Sequence, residues 1–170
     1  MSGHTARVHL ICGATGAGKS TYSAGLAQDI RGVQFSIDEW MQRLHNADQP
    51  AEMRFEWFFE RVQRNTAQMR AMAEQLCELD VPAIFDCGFT NSAERATFAD
   101  WAEEMGYSVQ LHFVDVPADI RWGRVQQRNH KQAETFQFEV TRPMFDFIES
   151  IWEAPSDAEM ARMSGIVVTP

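Results

Sequence analysis

An eight-residue segment near the start of the chain combines three glycines with a lysine and a serine. Residues 13–20 read GATGAGKS and fit the pattern G-x-x-x-x-G-K-[ST]. Glycines let backbone N–H groups point inward around an anion, and a helix that begins near Lys19 would direct its positive end at the same anion. The segment therefore predicts a loop that wraps the phosphates of a nucleoside triphosphate.

Two side chains of this segment supply charge and metal ligation. Lys19 would reach the β and γ phosphates, and Ser20 would offer its hydroxyl to Mg²⁺. The alternative is an ordinary flexible loop, but the strand and helix predicted on either side favour a phosphate loop. The predicted nucleotide-binding residues are Gly13, Ala14, Thr15, Gly16, Ala17, Gly18, Lys19, Ser20 and Thr21.

Three aspartates follow predicted strands, and one of them could act as a base. Transfer of a phosphoryl group to a hydroxyl needs a carboxylate that orients the acceptor and receives its proton. Asp38 is our candidate, with capping of the helix that follows as the alternative. Asp86 would hold the water shell of Mg²⁺ or a substrate group, so Ser20 and Asp86 are the predicted metal residues. For Asp115 a strand-to-helix junction is the favoured interpretation.

Arginines later in the chain could meet the phosphates. Arg121, Arg124 and Arg128 recur at intervals of three and four residues, near one face of a predicted helix. That face could close over the nucleotide as a lid around residues 121–142, or it could be a solvated basic face. Arg95 could meet a substrate anion, although an exposed structural arginine is the favoured interpretation.

Aromatic residues and one histidine have both a functional and a structural interpretation. Phe55, Trp57, Phe58 and Phe59 could line an acceptor pocket, but an aromatic stripe at helical spacing favours the core. His112 lies within an apolar strand and is predicted to be a core histidine.

Strands and helices alternate along the chain. Predicted helices cover 19–30, 51–79, 91–105, 117–128 and 141–152. Predicted strands cover 7–12, 33–37, 83–85, 108–116 and 165–169. In the long helix the expected buried face is Phe55, Phe58, Val62, Met69, Met72 and Leu76, interrupted by Asn65 and Thr66.

This alternation predicts an α/β fold with three layers, a five-stranded parallel sheet between helices, and a small helical lid. Parallel crossovers are right-handed, and ligands bind at the carboxyl ends of the strands. With 170 residues, of which 45% are apolar and 23% charged, we expect one domain over residues 1–170.

Net charge and cysteine content limit the possible partners and the compartment. The net charge of −9 argues against non-specific binding to nucleic acid or anionic membranes. Cys12, Cys77 and Cys87 lie in apolar runs without metal-ligand spacing, which is typical of a reducing cytoplasm. No apolar run approaches membrane-spanning length, so we expect a cytoplasmic protein.

Taken together, the motifs resemble those of P-loop kinases such as polynucleotide 5′-hydroxyl kinase, chloramphenicol phosphotransferase and zeta-toxin sugar-nucleotide kinases. Nearly the whole chain contributes: GATGAGKS, FSIDEW around Asp38, IFDCGFTNSAER over 84–95, FVDVPADIRWGRVQQR over 113–128, and the helix with Met144-Phe145. The resemblance implies that Asp38 is the general base and that Asp86 is an acidic position near the substrate or metal. It also implies a catalytic set of Asp38, Lys19, Arg124 and Arg128.

The predicted function is an ATP-dependent kinase that phosphorylates a hydroxyl of a small molecule, with ATP and Mg²⁺ as cofactors and GTP left open. Polynucleotide kinases place an arginine three residues after the base, where this chain has Met41. This departure and the acidic charge make nucleic acid the less favoured substrate. The alternatives are a polynucleotide 5′-hydroxyl kinase and a nucleotide-binding regulatory protein or slow ATPase.

Overall fold

A computed structural model describes residues 7–50, 52, 54–131 and 140–169 of the protein. Five strands form one sheet in the order β2-β3-β1-β4-β5, and every neighbouring pair is parallel. The strands are β1 Val8–Cys12, β2 Val33–Ser36, β3 Ala83–Asp86, β4 Val109–Val114 and β5 Ile166–Val168. The predicted five-stranded parallel sheet is therefore confirmed.

Seven α-helices connect these strands in the described part of the chain. They are α1 Lys19–Asp29, α2 Ile37–His45, α3 Phe55–Glu78, α4 Ser92–Glu104, α5 Ala118–Lys131, α6 Arg142–Ile151 and α7 Asp157–Arg162. Part of the predicted lid, residues 132–139, lies outside the described residues, as does Ala51, the predicted start of the long helix. None of the described helices combines the length and apolar character needed to span a bilayer.

The core lies on both faces of the sheet, as the predicted three layers require. On one face, Leu10 of β1 packs in a cluster with residues of α3 and α4 such as Met69 and Phe98. On the other face, Ile11 packs in a cluster to which Leu26 of α1 contributes. Because side chains of a strand alternate between faces, neighbouring residues of β1 serve two separate apolar layers.

Helix α3 buries a face that agrees only in part with the predicted one, since Met69 is buried and Val62 and Leu76 pack partly buried against the core. Its buried residues are Asn65, Met69, Ala73 and Cys77, at intervals of four, whereas Phe55 and Phe58 of its first turns are exposed. Asn65 belongs to this face because its side-chain oxygen lies 3.1 Å from Nε2 of His45, which satisfies its polar group. The predicted interruption at Asn65 is therefore wrong.

Arg95 is structural but completely buried, which corrects the prediction that it is exposed. Its Nε donates to Glu159 of α7 at 2.7 Å, and its Nη1 donates to the backbone oxygens of Phe89 at 3.1 Å and Glu153 at 2.8 Å. One guanidinium therefore ties α4 to α7, a helix that the sequence analysis did not predict. Helix α7 begins with a capping box formed by Ser156 and Glu159.

His112 is a core histidine, as predicted, and it bridges two strands and a helix. Its Nε2 lies 2.9 Å from Nδ1 of His9 on β1, and its Nδ1 lies 2.8 Å from the hydroxyl of Tyr22 on α1. Burial, followed by the neighbouring His9, lowers the pKa of His112 to about 4. The ring is therefore neutral in the folded protein at physiological pH.

We expect the free energy of unfolding to fall as the pH decreases from about 6.5 to about 4. In this window the unfolded chain protonates His112 at its ordinary pKa of 6.5, whereas the folded chain stays neutral down to about 4. The loss reaches about 3 kcal/mol. Denaturant unfolding of the parent and His112→Gln across this window measures it, with the exposed His130→Gln as control. Equal pH slopes for all three proteins would contradict this assignment.

Candidate functional site

The glycine-rich segment forms a tight loop between β1 and α1. Gly16 has a φ of 81°, and a Cβ atom at this position would lie 2.7 Å from the carbonyl oxygen of Arg121 and 3.0 Å from Cγ2 of Val125. Gly18 also has a left-handed conformation, with φ 94°, and caps the N-terminus of α1. Only glycine fits both positions, and the absence of a side chain at Gly16 allows the loop to lie close against α5.

The N-terminus of α1 opens into a cleft. Ser20 and Thr21 in its first turn are exposed, and both line the cleft together with the loop. The first N–H groups of a helix have no intrahelical acceptor, and the helix dipole adds positive potential there. This arrangement is the anion-binding geometry predicted for residues 13–21.

Lys19 lies between the loop and two carboxylates. Its Nζ donates to the carbonyl oxygen of Ala14 at 3.3 Å, inside the loop that it belongs to. Burial lowers the pKa of Lys19, and the carboxylates of Asp86 and Asp38 act against this shift. The Ala14 carbonyl and the two carboxylates therefore compensate the positive charge of the Lys19 ammonium.

Asp86 and Ser20 form a pair of oxygen ligands next to the loop. Asp86 is the last residue of β3, is buried, and accepts a hydrogen bond from the Ser20 side chain. Burial raises the pKa of Asp86, and the hydrogen bond from Ser20 and the charge of Lys19 partly offset this. A hydroxyl beside a carboxylate suits Mg²⁺, which prefers oxygen ligands and keeps several waters and phosphate oxygens. Within the described ranges, no group of three or more His, Cys, Asp or Glu could hold a metal by itself.

Asp38 lies in the first turn of α2, two residues beyond the end of β2, and faces the cleft. The helix cap is Ser36, whose hydroxyl accepts from the backbone N–H of Glu39 at 3.4 Å. The alternative that Asp38 is only a helix cap is therefore not supported. Desolvation by the surrounding cleft raises the pKa of Asp38, while Lys19 and then Arg128 lower it.

The three arginines of α5 have different environments. Arg121 is buried, donates to the Val116 carbonyl at 2.7 Å, and pairs with both carboxylate oxygens of Glu149 at 2.6 and 2.7 Å. Arg121 is therefore neither a lid arginine nor part of a solvated basic face, which were the two predicted alternatives. It is buried and joins α6 to α5 instead. Arg124 and Arg128 do line the cleft.

Arg124 and Arg128 approach the nucleotide loop and the candidate base respectively. Arg124 donates from Nη1 to the carbonyl oxygen of Ala17 at 3.1 Å, so it already touches the loop. Arg128 has a buried Nε without a hydrogen-bond partner among the described atoms. Burial lowers the pKa of Arg128, and the charge of Asp38 opposes this shift. An unsatisfied guanidinium N–H beside a carboxylate is suited to an incoming anion.

All of the predicted site residues except Ala17 line one cleft of 840 Å³. Further lining residues that the sequence analysis did not assign to the site are Gln34, Ser36, Glu39, Gln42, Arg43, Gly88, Thr90, Val125, Val140, Ile148, Ile151 and Trp152. Gln42 lies one helical turn after Asp38 on the same face of α2, and Arg43 lies one turn after Glu39, so helical spacing could have identified Gln42.

The aromatic residues at the start of α3 are not core residues, which corrects the favoured prediction. Phe55, Phe58 and Phe59 are 75%, 41% and 48% exposed, and of these only Phe58 lines the cleft. Trp57 is half-buried, with the guanidinium of Arg61 3.9 Å from its ring centre. The other interpretation, an acceptor pocket, stays a prediction for Phe58, the one of the four that lines the cleft.

A family model and several solved structures match this chain. The model of a family described as an AAA domain matches residues 8–149. No curated protein matches the chain in sequence. The fold of this chain is similar to that of Kti12 from Chaetomium thermophilum, whose structure is in complex with ADP-AlF3. The TM-score is 0.72 and the identity 12%, over 95% of this chain and 88% of that chain.

Two enzymes with solved structures have the same fold. APS kinase CysC of Mycobacterium tuberculosis, in complex with AMPPNP and APS, has a TM-score of 0.64 and 16% identity, covering 97% of this chain and 88% of that chain. A sugar kinase from a Janibacter species has a TM-score of 0.65 and 19% identity, covering 97% of this chain and 86% of that chain. At these identities the likeness shows the fold, which is that of P-loop kinases.

Replacing Gly16 by alanine should destabilise the protein by about 2 kcal/mol or more, because the new Cβ meets the Arg121 carbonyl in an unfavourable backbone conformation. Gly25→Ala on the exposed side of α1 is the matched control, since nothing lies within 4 Å of the added atom. We expect that variant to gain about 0.5–1 kcal/mol. Equal stabilities of the two variants in denaturant unfolding would contradict the described loop geometry.

Proposed function

The chain belongs to this AAA-domain family of P-loop kinases, and from that membership we propose that it transfers the γ-phosphoryl group of ATP to a hydroxyl of a small molecule. The observation that carries the proposal is the position of Asp38. This carboxylate shares one cleft with the phosphate loop and interacts electrostatically with both Lys19 and Arg128. A carboxylate in this position could orient an acceptor hydroxyl and receive its proton.

In the proposed reaction Asp38 accepts the proton of the acceptor hydroxyl. The hydroxyl oxygen then bonds to the γ-phosphorus, the bond from that phosphorus to the bridging oxygen breaks, and ADP leaves. A base functions best when its pKa lies near the working pH, and desolvation moves the pKa of Asp38 upward in that direction. The charges of Lys19 and Arg128 oppose this rise in pKa and favour the ionised form, which is the one that can accept a proton.

The cations of the cleft would stabilise charge that develops during transfer. Lys19 moves from the Ala14 carbonyl to the β and γ phosphates, while the backbone N–H groups of residues 13–21 hold the remaining oxygens. Arg124 and Arg128 approach from α5 and meet the transferring group. Ser20 and Asp86 would hold Mg²⁺, which supplies charge neutralisation and alignment of the phosphate oxygens when bound.

Nucleic acid is the less favoured acceptor. Met41, which occupies the position of the substrate-binding arginine of polynucleotide kinases, packs against the main core cluster and lies close to the side-chain amide of Asn65. Arg43 does face the cleft but is paired with Glu39 at 2.6 Å. Contacts with phosphates dominate the affinity of proteins for nucleic acid. One arginine that is paired with a glutamate, in a protein of net charge −9, therefore gives little support for nucleic-acid binding.

Asp38→Asn should lower phosphoryl transfer by on the order of a hundredfold or more, because the amide keeps the shape but cannot accept the proton. The thermal midpoint should stay close to that of the parent, since the α2 cap is Ser36. Transfer of labelled γ-phosphate is measured over a panel of hydroxylated metabolites and 5′-hydroxyl oligonucleotides. Glu39→Gln, on the neighbouring residue, is the control and should retain most activity.

Asp38 would be eliminated as the base if its variant transferred phosphate at the parental rate. ATP hydrolysis without label on any member of the panel would support the alternative of a slow ATPase. The two outcomes are separable, because the first requires a labelled acceptor and the second requires that none appears.

Lys19→Ala should weaken binding of ATP with Mg²⁺ by roughly tenfold or more, since the phosphates lose their principal side-chain cation. Isothermal titration calorimetry measures this directly and needs no acceptor. Arg64→Ala is the matched control, because Arg64 is exposed on α3 and pairs only with Glu60. Unchanged affinity of the Lys19 variant would remove the phosphate loop from the nucleotide site.

A further inference from the structure

Four large apolar side chains line the cleft, namely Phe58, Ile148, Ile151 and Trp152, and we call them the apolar wall. Phe58 projects from α3, and Ile148 and Ile151 project from α6, which ends beside Trp152. Phe58 is 41% exposed and Ile151 47% exposed, so the fold itself leaves both side chains partly uncovered. Large apolar side chains that remain exposed together around a concave site are typical of ligand pockets.

Contacts outside the cleft hold this wall in place. The Trp152 ring lies 6.3 Å from the ring of Phe113 on β4, measured between centroids. The next residue, Glu153, donates its backbone N–H to the Thr90 carbonyl at 2.9 Å. The bidentate pair of Arg121 with Glu149 fixes α6 against α5. The part of the wall that α6 and Trp152 provide is therefore built into the fold, which reduces the entropic cost of binding.

The described residues that line the cleft include four cations and three carboxylates, Asp38, Glu39 and Asp86. Among the described residues that line the cleft, the cations are Lys19, Arg43, Arg124 and Arg128. Lys19 and Arg124 contact the phosphate loop, Arg128 faces Asp38, and Arg43 is paired with Glu39. Among these four cations, only Arg43 is left for a phosphate or sulfate carried by the acceptor, and its side chain is exposed and paired with Glu39.

We propose that the acceptor is an uncharged alcohol with an apolar ring or chain, whose body lies against Phe58, Ile148, Ile151 and Trp152 while its hydroxyl reaches Asp38. This inference rests on the proposed kinase function and names its substrate class. Polar side chains that line the same cleft, such as Gln42 and Thr90, can bind further hydroxyls. A sugar with a hydroxyl on every carbon would leave several of them against the apolar wall, which is costly.

Binding and transfer are measured separately on the same protein. Calorimetry with ADP-loaded protein uses naphthylethanol and phenylpropanediol as apolar alcohols, with glucose and a 5′-hydroxyl dinucleotide as polar ones. We expect the apolar alcohols to bind at least about tenfold more tightly. In the transfer assay with labelled γ-phosphate, the same two alcohols should be the preferred acceptors.

Two adjacent phenylalanines provide a matched pair of variants. Phe58→Ser should raise the Kd and KM for naphthylethanol by roughly tenfold or more and leave the affinity for ATP unchanged. Phe59→Ser should change neither, because Phe59 is similarly exposed on the same helix but does not line the cleft. Equal effects of the two substitutions would overturn the proposal.

Two other results would overturn the proposal in distinguishable ways. Preferred binding and phosphorylation of glucose or the dinucleotide would refute the apolar acceptor while the kinase function stands. Binding of naphthylethanol without label transfer to any alcohol would refute the kinase function, and with it the description of this ligand as an acceptor.

Discussion

The site depends on one buried ammonium that needs negative charge around it. Lys19 is tied into the loop through the Ala14 carbonyl, and burial lowers its pKa, so its charge is costly without compensation. Asp86 and Asp38 provide that compensation before a nucleotide arrives. Lys19 also acts on both carboxylates, because its positive charge opposes the rise in pKa that burial causes in each of them. Nucleotide phosphates would then compete with the carboxylates for one cation.

The sheet order brings these charges together. β1 pairs with β3, and β3 pairs with β2, so the carboxyl ends of three parallel strands lie side by side. The phosphate loop follows β1, Asp86 ends β3, and Asp38 follows β2. On the other side β4 leads into α5, whose Arg121 donates to the carbonyl oxygen of Thr15 in the loop. The fold therefore brings Asp38, Asp86 and the glycine-rich loop to one edge of the sheet.

The sequence predicted correctly those features that depend on residues close together in the chain. The glycines of the loop and the apolar strands of the sheet were predicted because backbone conformation and alternation are encoded within a few residues. Arg121 was misjudged because its partner, Glu149, is 28 residues away. Arg95 was misjudged because two of its partners, Glu153 and Glu159, lie 58 and 64 residues further along the chain. Phe58 was assigned to the core because helical spacing does not reveal that the buried residues of α3 begin at Asn65.

The dependence of kcat on pH tests the coupling of Asp38 to its neighbouring cations most directly. We predict an acidic limb set by Asp38, with an apparent pKa above the ordinary 3.8 of aspartate. Arg128→Gln should move this limb to higher pH, because the positive charge of Arg128 lowers the pKa of Asp38 in the parent protein. Arg124→Gln should leave the limb in place, since Arg124 contacts the loop instead. A limb that stays unchanged in Arg128→Gln would contradict this account.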